Sequence, residues 1–201
     1  WFMDCFGPIF NHKVEYNYCL VVCDSATRWP AAFPLKSLTA KCVCEALIQL
    51  WMYTGLPRFC SSDNGANFTA DLTRQFMAMV GCSPVFNSPA HPNSTGLCER
   101  MVGSLKGMIH KVAHDHPKQW HKYLGYILWA LRESPNETTH VAPWLLTFGH
   151  LPRGPLAVLK EMWTGERDVP LPLNLGKNAV EFLRELQDNL QVARNYAASH
   201  A

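Results

Sequence analysis

The stretch SSDNGANF, residues 61–68, and the segment GLCERMVGSLK, residues 96–106, decide how this chain folds. A short apolar-leaning run, residues 58–60, precedes the first stretch and predicts a β-strand, and a turn signal follows it. Asp63 is therefore expected at a strand end. In the second segment, Glu99 lies on a predicted helix with apolar residues at spacings of three and four. This apolar stripe consists of Cys98, Met101, Val102, Leu105, Ile109 and Val112.

A third acidic residue, Asp4, lies in the apolar run of residues 1–6, which predicts a buried strand. An acid in a core strand is costly unless something pairs with it. Taken singly, a strand-end aspartate such as Asp63 is more often a turn cap, and a helical glutamate such as Glu99 is usually solvated surface. Together, three converging carboxylates would supply the hard oxygen ligands that Mg²⁺ or Mn²⁺ requires. Two such cations can clamp the attacking and leaving oxygens of a phosphoryl displacement.

Several motifs occur together in the first 150 residues. Asp4 precedes Gly7-Pro8, the acid Asp63 stands in the run SDNG of residues 62–65, and His91-Pro92 leads into Gly96-x-x-Glu99-Arg100, with Lys106 on the same helical face as Glu99. Thirty-five residues separate Asp63 from Glu99. This combination resembles the catalytic core of retroviral and retrotransposon integrases, the D,D-35-E family. Residues 18–30, YCLVVCDSATRWP, are similar to the second and third strands of Ty3/gypsy-type integrases.

The resemblance implies an α/β, RNase H-like fold with a mixed five-stranded sheet flanked by helices, plus a C-terminal helical extension. It implies an enzyme, a polynucleotidyl transferase that trims the 3′ ends of retroelement DNA and transfers them into target DNA. Partners would be element and target DNA and further copies of the chain, in the nucleus or a virus-like particle. Asp4, Asp63 and Glu99 would be catalytic and hold two Mg²⁺ or Mn²⁺ ions, and the DNA contacts would be Lys106, Asn67, Thr95 and Arg100.

Three positions depart from the family pattern. Asn93 stands where Gln is common, and Thr95 where Asn or Gln is usual. Val102 replaces an Asn that normally supports the site by hydrogen bonding. The three acids, Arg100 and Lys106 are intact.

The order of predicted elements supports the same fold class. Strands over 1–10, 18–24 and 29–35 suit an antiparallel meander, and Pro30 and Pro34 suggest either irregularity or an edge position for the third strand. A helix capped by Thr39, the strand before Asp63, a helix over 69–80 and a strand over 83–87 add two β-α-β units. The helix over 69–80 is expected to turn Leu72, Phe76 and Met79 inward. Residues 88–96 are predicted to form a mobile loop, followed by helices to about residue 149.

We therefore predict two segments, an integrase core over residues 1–150 and a linker with a C-terminal helix over 151–201. The last helix carries a leucine and alanine seam that suits either self-association or packing on the chain's own core. Because the chain begins at Trp1, directly in a predicted catalytic strand, we expect it to be a piece of a longer protein.

Composition limits the partners and cofactors. Of 201 residues 48% are hydrophobic, and the net charge is +2, so DNA binding must depend on local patches or further domains. No apolar run is long enough to cross a membrane, and no membrane partner is expected. The eight cysteines form no CxxC pair and are interpreted as reduced, buried side chains. His110 and His114 lie four apart without a paired Cys or acid, which argues against zinc.

Two other functions stay open. A host protein could retain the fold as a non-catalytic module that binds nucleic acid or protein, a reading that Val102 and the near-neutral charge favour. An RNase H-type ribonuclease is the third reading, but such enzymes usually carry a fourth acid and lack the run from His91 to Arg100. Flanking sequence would discriminate, since a reverse transcriptase upstream indicates the element enzyme.

Overall fold

The computed structural model describes residues 1–62, 65–86 and 92–152, together with helical positions 181, 184 and 188. The chain divides into two compact units, residues 1–124 and residues 125–201. The predicted boundary between residues 150 and 151 stays a prediction, since most of the segment after it lies outside the described residues.

Five strands form one mixed sheet in the described part of the first unit. Their spatial order is β3-β2-β1-β4-β5, so β1 lies in the centre. β1 pairs antiparallel with β2 and parallel with β4; β2 pairs antiparallel with β3, and β4 parallel with β5. The predicted meander and the edge position of the proline-containing strand are confirmed. The bounds are β1 Phe2–Phe6, β2 Tyr18–Cys23, β3 Pro30–Leu35, β4 Phe59–Ser62 and β5 Ser83–Phe86.

Helix α1, Ala40–Thr54, covers one face of this sheet. The Thr39 hydroxyl caps it by accepting a hydrogen bond from the backbone N–H of Cys42, and Gly55 ends it with φ +83°. Its apolar stripe packs with alternate residues of β1 and β2 into a dry core, as the spacing predicts. The core includes Met3, Leu20, Val22, Val43, Ala46, Leu47, Leu50 and Trp51.

The helix predicted over 69–80 is confirmed for residues 71–79, with a break before it. Phe76 packs against the core as predicted, whereas Leu72 and Met79 do not face inward. The structure has α2, Ala66–Thr69, and α3, Asp71–Met79, separated by Ala70 in an extended conformation with ψ 144°. Helix α3 buries Thr73 and Met77, whereas Leu72 is 51% and Met79 is 79% exposed. Because the buried stripe runs through 73 and 77, two of the apolar residues flank it on the solvent side.

Helix α4, Pro92–Asp115, covers the opposite face of the sheet and contacts β1 and β2. It begins at Pro92, so the predicted loop over 88–96 is wrong for its second half; proline is favoured in the first turn of a helix because that turn leaves N–H groups unpaired. Residues 87–91 lie outside the described residues. The predicted inward stripe is confirmed, because Cys98, Val102, Leu105, Ile109 and Val112 are all buried.

Two further helices follow, α5 over Trp120–Glu133 and α6 over Pro143–Phe148. In the second unit the rings of Trp129 and Trp144 lie 4.9 Å apart, and the Trp129 indole N–H donates to Glu133. No helix in the described residues is long and apolar enough to cross a membrane.

Candidate active site

Asp4 projects from the central strand toward α4. Side chains alternate along β1, so Met3 enters the core beneath α1 and Asp4 takes the other face. The Asp4 Oδ2 accepts a hydrogen bond from Lys106 Nζ at 2.5 Å. The side chains are 24% and 27% exposed, so this ion pair is only partly screened by water. The cost of placing an acid on a central strand is offset by the lysine of the facing helix.

Glu99 lies on the same helix as Lys106 and is exposed. The buried stripe fixes the rotation of α4, which leaves Glu99, Lys106 and His110 on a shared face, as predicted. Glu99 stands seven residues before Lys106, about 10 Å along the helix axis. The long, well-packed helix thus presents a carboxylate from a fixed position on the face where Lys106 meets β1.

Asp63 lies outside the described residues, so its placement relative to Asp4 stays a prediction. The strand before it, β4, ends at Ser62 and lies beside β1, with Phe2 opposite Ser61. In the described part of the chain no three His, Cys, Asp or Glu side chains form a metal-binding group.

A strip of side chains continues from Asp4 along the interface between β1 and α4. Phe6 lies on the same strand face as Asp4, and Lys106 Nζ lies 5.6 Å from its ring centroid. The rings of Phe6 and His110 are 5.1 Å apart. Two strand residues, Asp4 and Phe6, therefore face two helix residues, Lys106 and His110, one turn apart. The ammonium of Lys106 is held between a carboxylate and an aromatic face.

The other predicted DNA contacts are placed less completely. Arg100 is exposed on α4, next to Glu99. Asn67 lies in α2 and Thr95 in the first turns of α4, while their side chains lie outside the described residues. Of the four, the structure brings Lys106 to a predicted acid, and the roles of the other three in DNA binding stay predictions.

The sequence did not reveal a buried arginine, Arg28, that contacts Cys98, the residue before Glu99. The guanidinium Nη1 of Arg28 donates to the Ser25 carbonyl at 2.6 Å and to Cys98 Sγ at 3.4 Å. Arg28 has φ +63°, in the left-handed region that few side chains adopt, and ends a turn after β2. It ties that turn to the residue preceding Glu99. The signal available in the sequence was a single arginine in a turn, which does not reveal a contact 70 residues away.

The thiols around Arg28 are not equivalent. The hydrogen bond with the Cys23 thiol lowers the pKa of Cys98 to about 7, opposed by burial and assisted by the charge of Arg28. The same contact and burial raise the pKa of Cys23. Cys23 also donates to Met101 Sδ at 3.5 Å. All eight cysteines are free thiols and six are buried, while Cys5 and Cys42 are partly exposed.

Val102, at the family's Asn position, packs in the core and is 2% exposed. The supporting hydrogen bond that the family pattern implies is replaced here by apolar packing under α4. One turn earlier on the same helix, Cys98 Sγ contacts the guanidinium of Arg28.

The donor chemistry at Asp4 fits a divalent cation. A hard carboxylate oxygen is the ligand type that Mg²⁺ and Mn²⁺ prefer, and this one already lies against a positive group, Lys106. The carboxylate attracts positive charge, which Lys106 supplies in this structure.

Comparison with known proteins places these features in a family. Residues 1–92 match the model of the integrase core domain. The chain is 29% identical over 194 residues to the Pro-Pol polyprotein of feline foamy virus, covering 95% of this chain and 16% of that protein. It is 33% identical over 125 residues to the Gag-Pol polyprotein of walleye dermal sarcoma virus, covering 60% of this chain and 7% of that protein. The chain thus spans a small part of the relatives it matches.

Solved structures show the same fold. The catalytic core domain of BIV integrase superposes with a TM-score of 0.60 at 20% identity, covering 83% of this chain and 97% of that one. The catalytic core of HTLV-2 integrase, solved in complex with magnesium, gives 0.59 at 20% identity, covering 73% and 94%. The predicted RNase H-like fold is confirmed. The domain model matched over residues 1–92, the polyprotein relatives and the fold together support a retroviral or retrotransposon integrase catalytic core in this chain.

Proposed function

We propose that this chain is the catalytic core of an integrase that trims the 3′ ends of retroelement DNA and joins them to target DNA with divalent metal ions. The observation that carries the proposal is Asp4, a partly buried carboxylate on the central strand that faces the helix bearing Glu99. Lys106 offsets the cost of burying this acid, and the hard carboxylate oxygens of Asp4 are the ligand type that Mg²⁺ and Mn²⁺ prefer.

Each residue has a separate task in this mechanism. Asp4 and Asp63 would hold the two cations and Glu99 would complete the second cation's ligands; the cations, when bound, supply the charge that stabilises the phosphoryl transfer. Strand β1 and helix α4 fix two of these carboxylates on packed elements rather than on loops. Lys106 would bind a DNA phosphate as a point charge, with Arg100, Asn67 and Thr95 as further contacts. Water attacks phosphorus in trimming, and a 3′ hydroxyl attacks in joining.

The relatives support the finer parts of the proposal. The magnesium complex of the HTLV-2 core favours Mg²⁺ or Mn²⁺ here. A structure of a simian T-cell lymphotropic virus intasome, with a TM-score of 0.59, favours binding of DNA by several copies of the chain. Activity on chromosomal DNA would place the protein in the nucleus. The segment over 18–30 supports a Ty3/gypsy-like origin.

The test is disintegration of a branched DNA substrate in the presence of Mn²⁺, a reversal of joining. We expect the wild-type chain to be active and Glu99→Gln to lose activity by at least about 100-fold, because the neutral amide cannot complete the cation's ligands. Glu45→Gln is the matched control, since Glu45 is an exposed helical glutamate on α1. Equal activity of wild type and Glu99→Gln would overturn the proposal.

A non-catalytic module in a host protein is the second candidate. The observation that favours it is Val102, which removes the hydrogen-bonding side chain expected beside the site. This reading predicts DNA or protein binding without turnover in any metal. An inactive wild type that still binds the branched substrate, both alone and with flanking domains restored, would support it.

A further inference from the structure

Lys106 is paired with the Asp4 carboxylate, which is one of the proposed metal ligands. Its ammonium lies 2.5 Å from Asp4 Oδ2 and 5.6 Å from the Phe6 ring centroid. A divalent cation and an ammonium repel each other, and both need the lone pairs of the same carboxylate. We propose that Lys106 has two positions: it pairs with Asp4 in the metal-free protein and is released to bind a DNA phosphate when a divalent cation binds Asp4. This inference rests on the proposed function.

The structure provides room for the second position. Side chains on an α-helix lean toward the helix N-terminus, which directs Lys106 over the preceding turn. Gly103 lies in that turn, and a Cβ atom added there would meet nothing within 4 Å. Glu99 lies one turn further along the same face. The helix surface at Gly103, between Lys106 and Glu99, is therefore open to the lysine side chain.

Phe6 would hold the lysine during the exchange. The aromatic face attracts the ammonium without supplying a directional partner, so Lys106 can pivot while its stem stays against the ring. His110 also contacts this ring, with the two ring centroids 5.1 Å apart. Lys106 therefore stays near the site after its ion pair with Asp4 is broken.

Lys106 can pair with either Asp4 or a DNA phosphate but not with both, so it couples the binding of the divalent cation to the binding of DNA. The metal must displace Lys106, so the lysine weakens metal binding in the absence of DNA; a phosphate that captures the lysine removes that competition. By linkage, metal then strengthens DNA binding by the same factor. The metal-free protein is thereby kept from binding DNA at this position until a cation arrives.

The first test measures Mn²⁺ affinity by calorimetry without DNA. We expect Lys106→Met to bind Mn²⁺ about fivefold more tightly than wild type, because the competing ammonium is absent. Lys106→Arg retains the charge and should stay close to wild type. Lys111→Met is the matched control for lost charge, since Lys111 is an exposed lysine on the same helix.

The outcomes separate the inference from the proposed function. If wild type binds Mn²⁺ and Lys106→Met binds it with equal affinity, the two-position inference is overturned and the metal site stands. If Lys106→Met and Lys111→Met tighten Mn²⁺ binding equally, the tighter binding comes from the loss of one positive charge at any place on α4, and the inference is again overturned. If no variant binds Mn²⁺, the metal site of the proposed function is overturned, and the inference with it.

A second measurement needs no variant. Labelling of the wild-type chain by an amine-reactive reagent, read by mass spectrometry, should modify Lys106 about fivefold faster when Mn²⁺ is added, with Lys111 unchanged. Added duplex DNA should then protect Lys106 in Mn²⁺ but much less in a chelator. A Lys106 labelling rate that is unaffected by Mn²⁺, in a protein shown to bind the metal, would overturn the inference.

Discussion

At the scale of single residues, chemistry and packing make different demands on α4. The shared helix face of Glu99 and Lys106 could be predicted from their spacing, because a helix repeats every 3.6 residues and the apolar stripe fixes its inward face. Asp4 could be predicted because an acid in an apolar strand needs a partner. The identity of that partner, Lys106, could not, since 102 residues separate the two and only the folded sheet brings them together.

Leu105 directly precedes Lys106 and is buried, so a substitution at Leu105 tests the packing of α4 without removing a proposed site residue. Leu105→Ala leaves a cavity beneath α4 and should lower the free energy of unfolding by about 2–5 kcal/mol. Denaturant unfolding measures it. Leu72→Ala is the control; Leu72 is 51% exposed, so its loss should cost less than about 0.5 kcal/mol. Similar small changes in both variants would mean that α4 does not pack as described.

At the scale of elements, sequence patterns predicted the strands better than the helix ends. β2 is a continuous apolar run and α1 has a threonine cap and a closing glycine, so local signals suffice. The inward face of α3 was wrong for Leu72 and Met79 because several apolar residues offered competing stripes, and the sequence pattern did not reveal the break at Ala70. The predicted start of α4 was wrong because Pro92 was interpreted as a loop residue, although proline is also favoured as the first residue of a helix.

The turn after β2 is an element with a predicted role in stability. Arg28→Ala removes both hydrogen bonds of Nη1 and leaves the Ser25 carbonyl without that donor, so the free energy of unfolding should fall by about 1–3 kcal/mol. Thermal or denaturant unfolding measures this. Arg28→Lys keeps the charge and one donor and should lose less. A loss as small as that of an exposed arginine, such as Arg74→Ala on α3, would contradict the account.

The ionisation of Cys98, which pairs with Cys23 beside Arg28, should make the stability of the fold depend on pH. Because the folded chain lowers the pKa of Cys98 to about 7, the thiolate is favoured in the native state, and its contribution to stability is present above the ordinary thiol pKa and is lost as pH falls through about 7. Wild type should therefore lose stability between about pH 9 and pH 7 relative to Cys98→Ser, measured as the difference in denaturant midpoint. A difference that does not vary with pH would contradict this.

At the scale of the whole molecule, the topology followed from the order of motifs. A meander followed by parallel β-α-β units restricts the sheet to few arrangements, and the observed order places the Asp4 strand in the centre, beside the strand that ends at Ser62. The net charge of +2 was less informative about the site, since it does not reveal that Lys106 is paired with Asp4. DNA binding by this chain should accordingly depend on a few local contacts and have a shallow salt dependence.

Asp4, Asp63 and Glu99 are proposed to form one metal site, and this can be measured by Mn²⁺ titration calorimetry of Asp63→Asn. Wild type should bind Mn²⁺, and Asp63→Asn should bind it at least about tenfold more weakly, because one hard ligand is lost. Asp71→Asn, an exposed aspartate in the first turn of α3, should bind like wild type. Equal Mn²⁺ affinity of wild type and Asp63→Asn would contradict the claim.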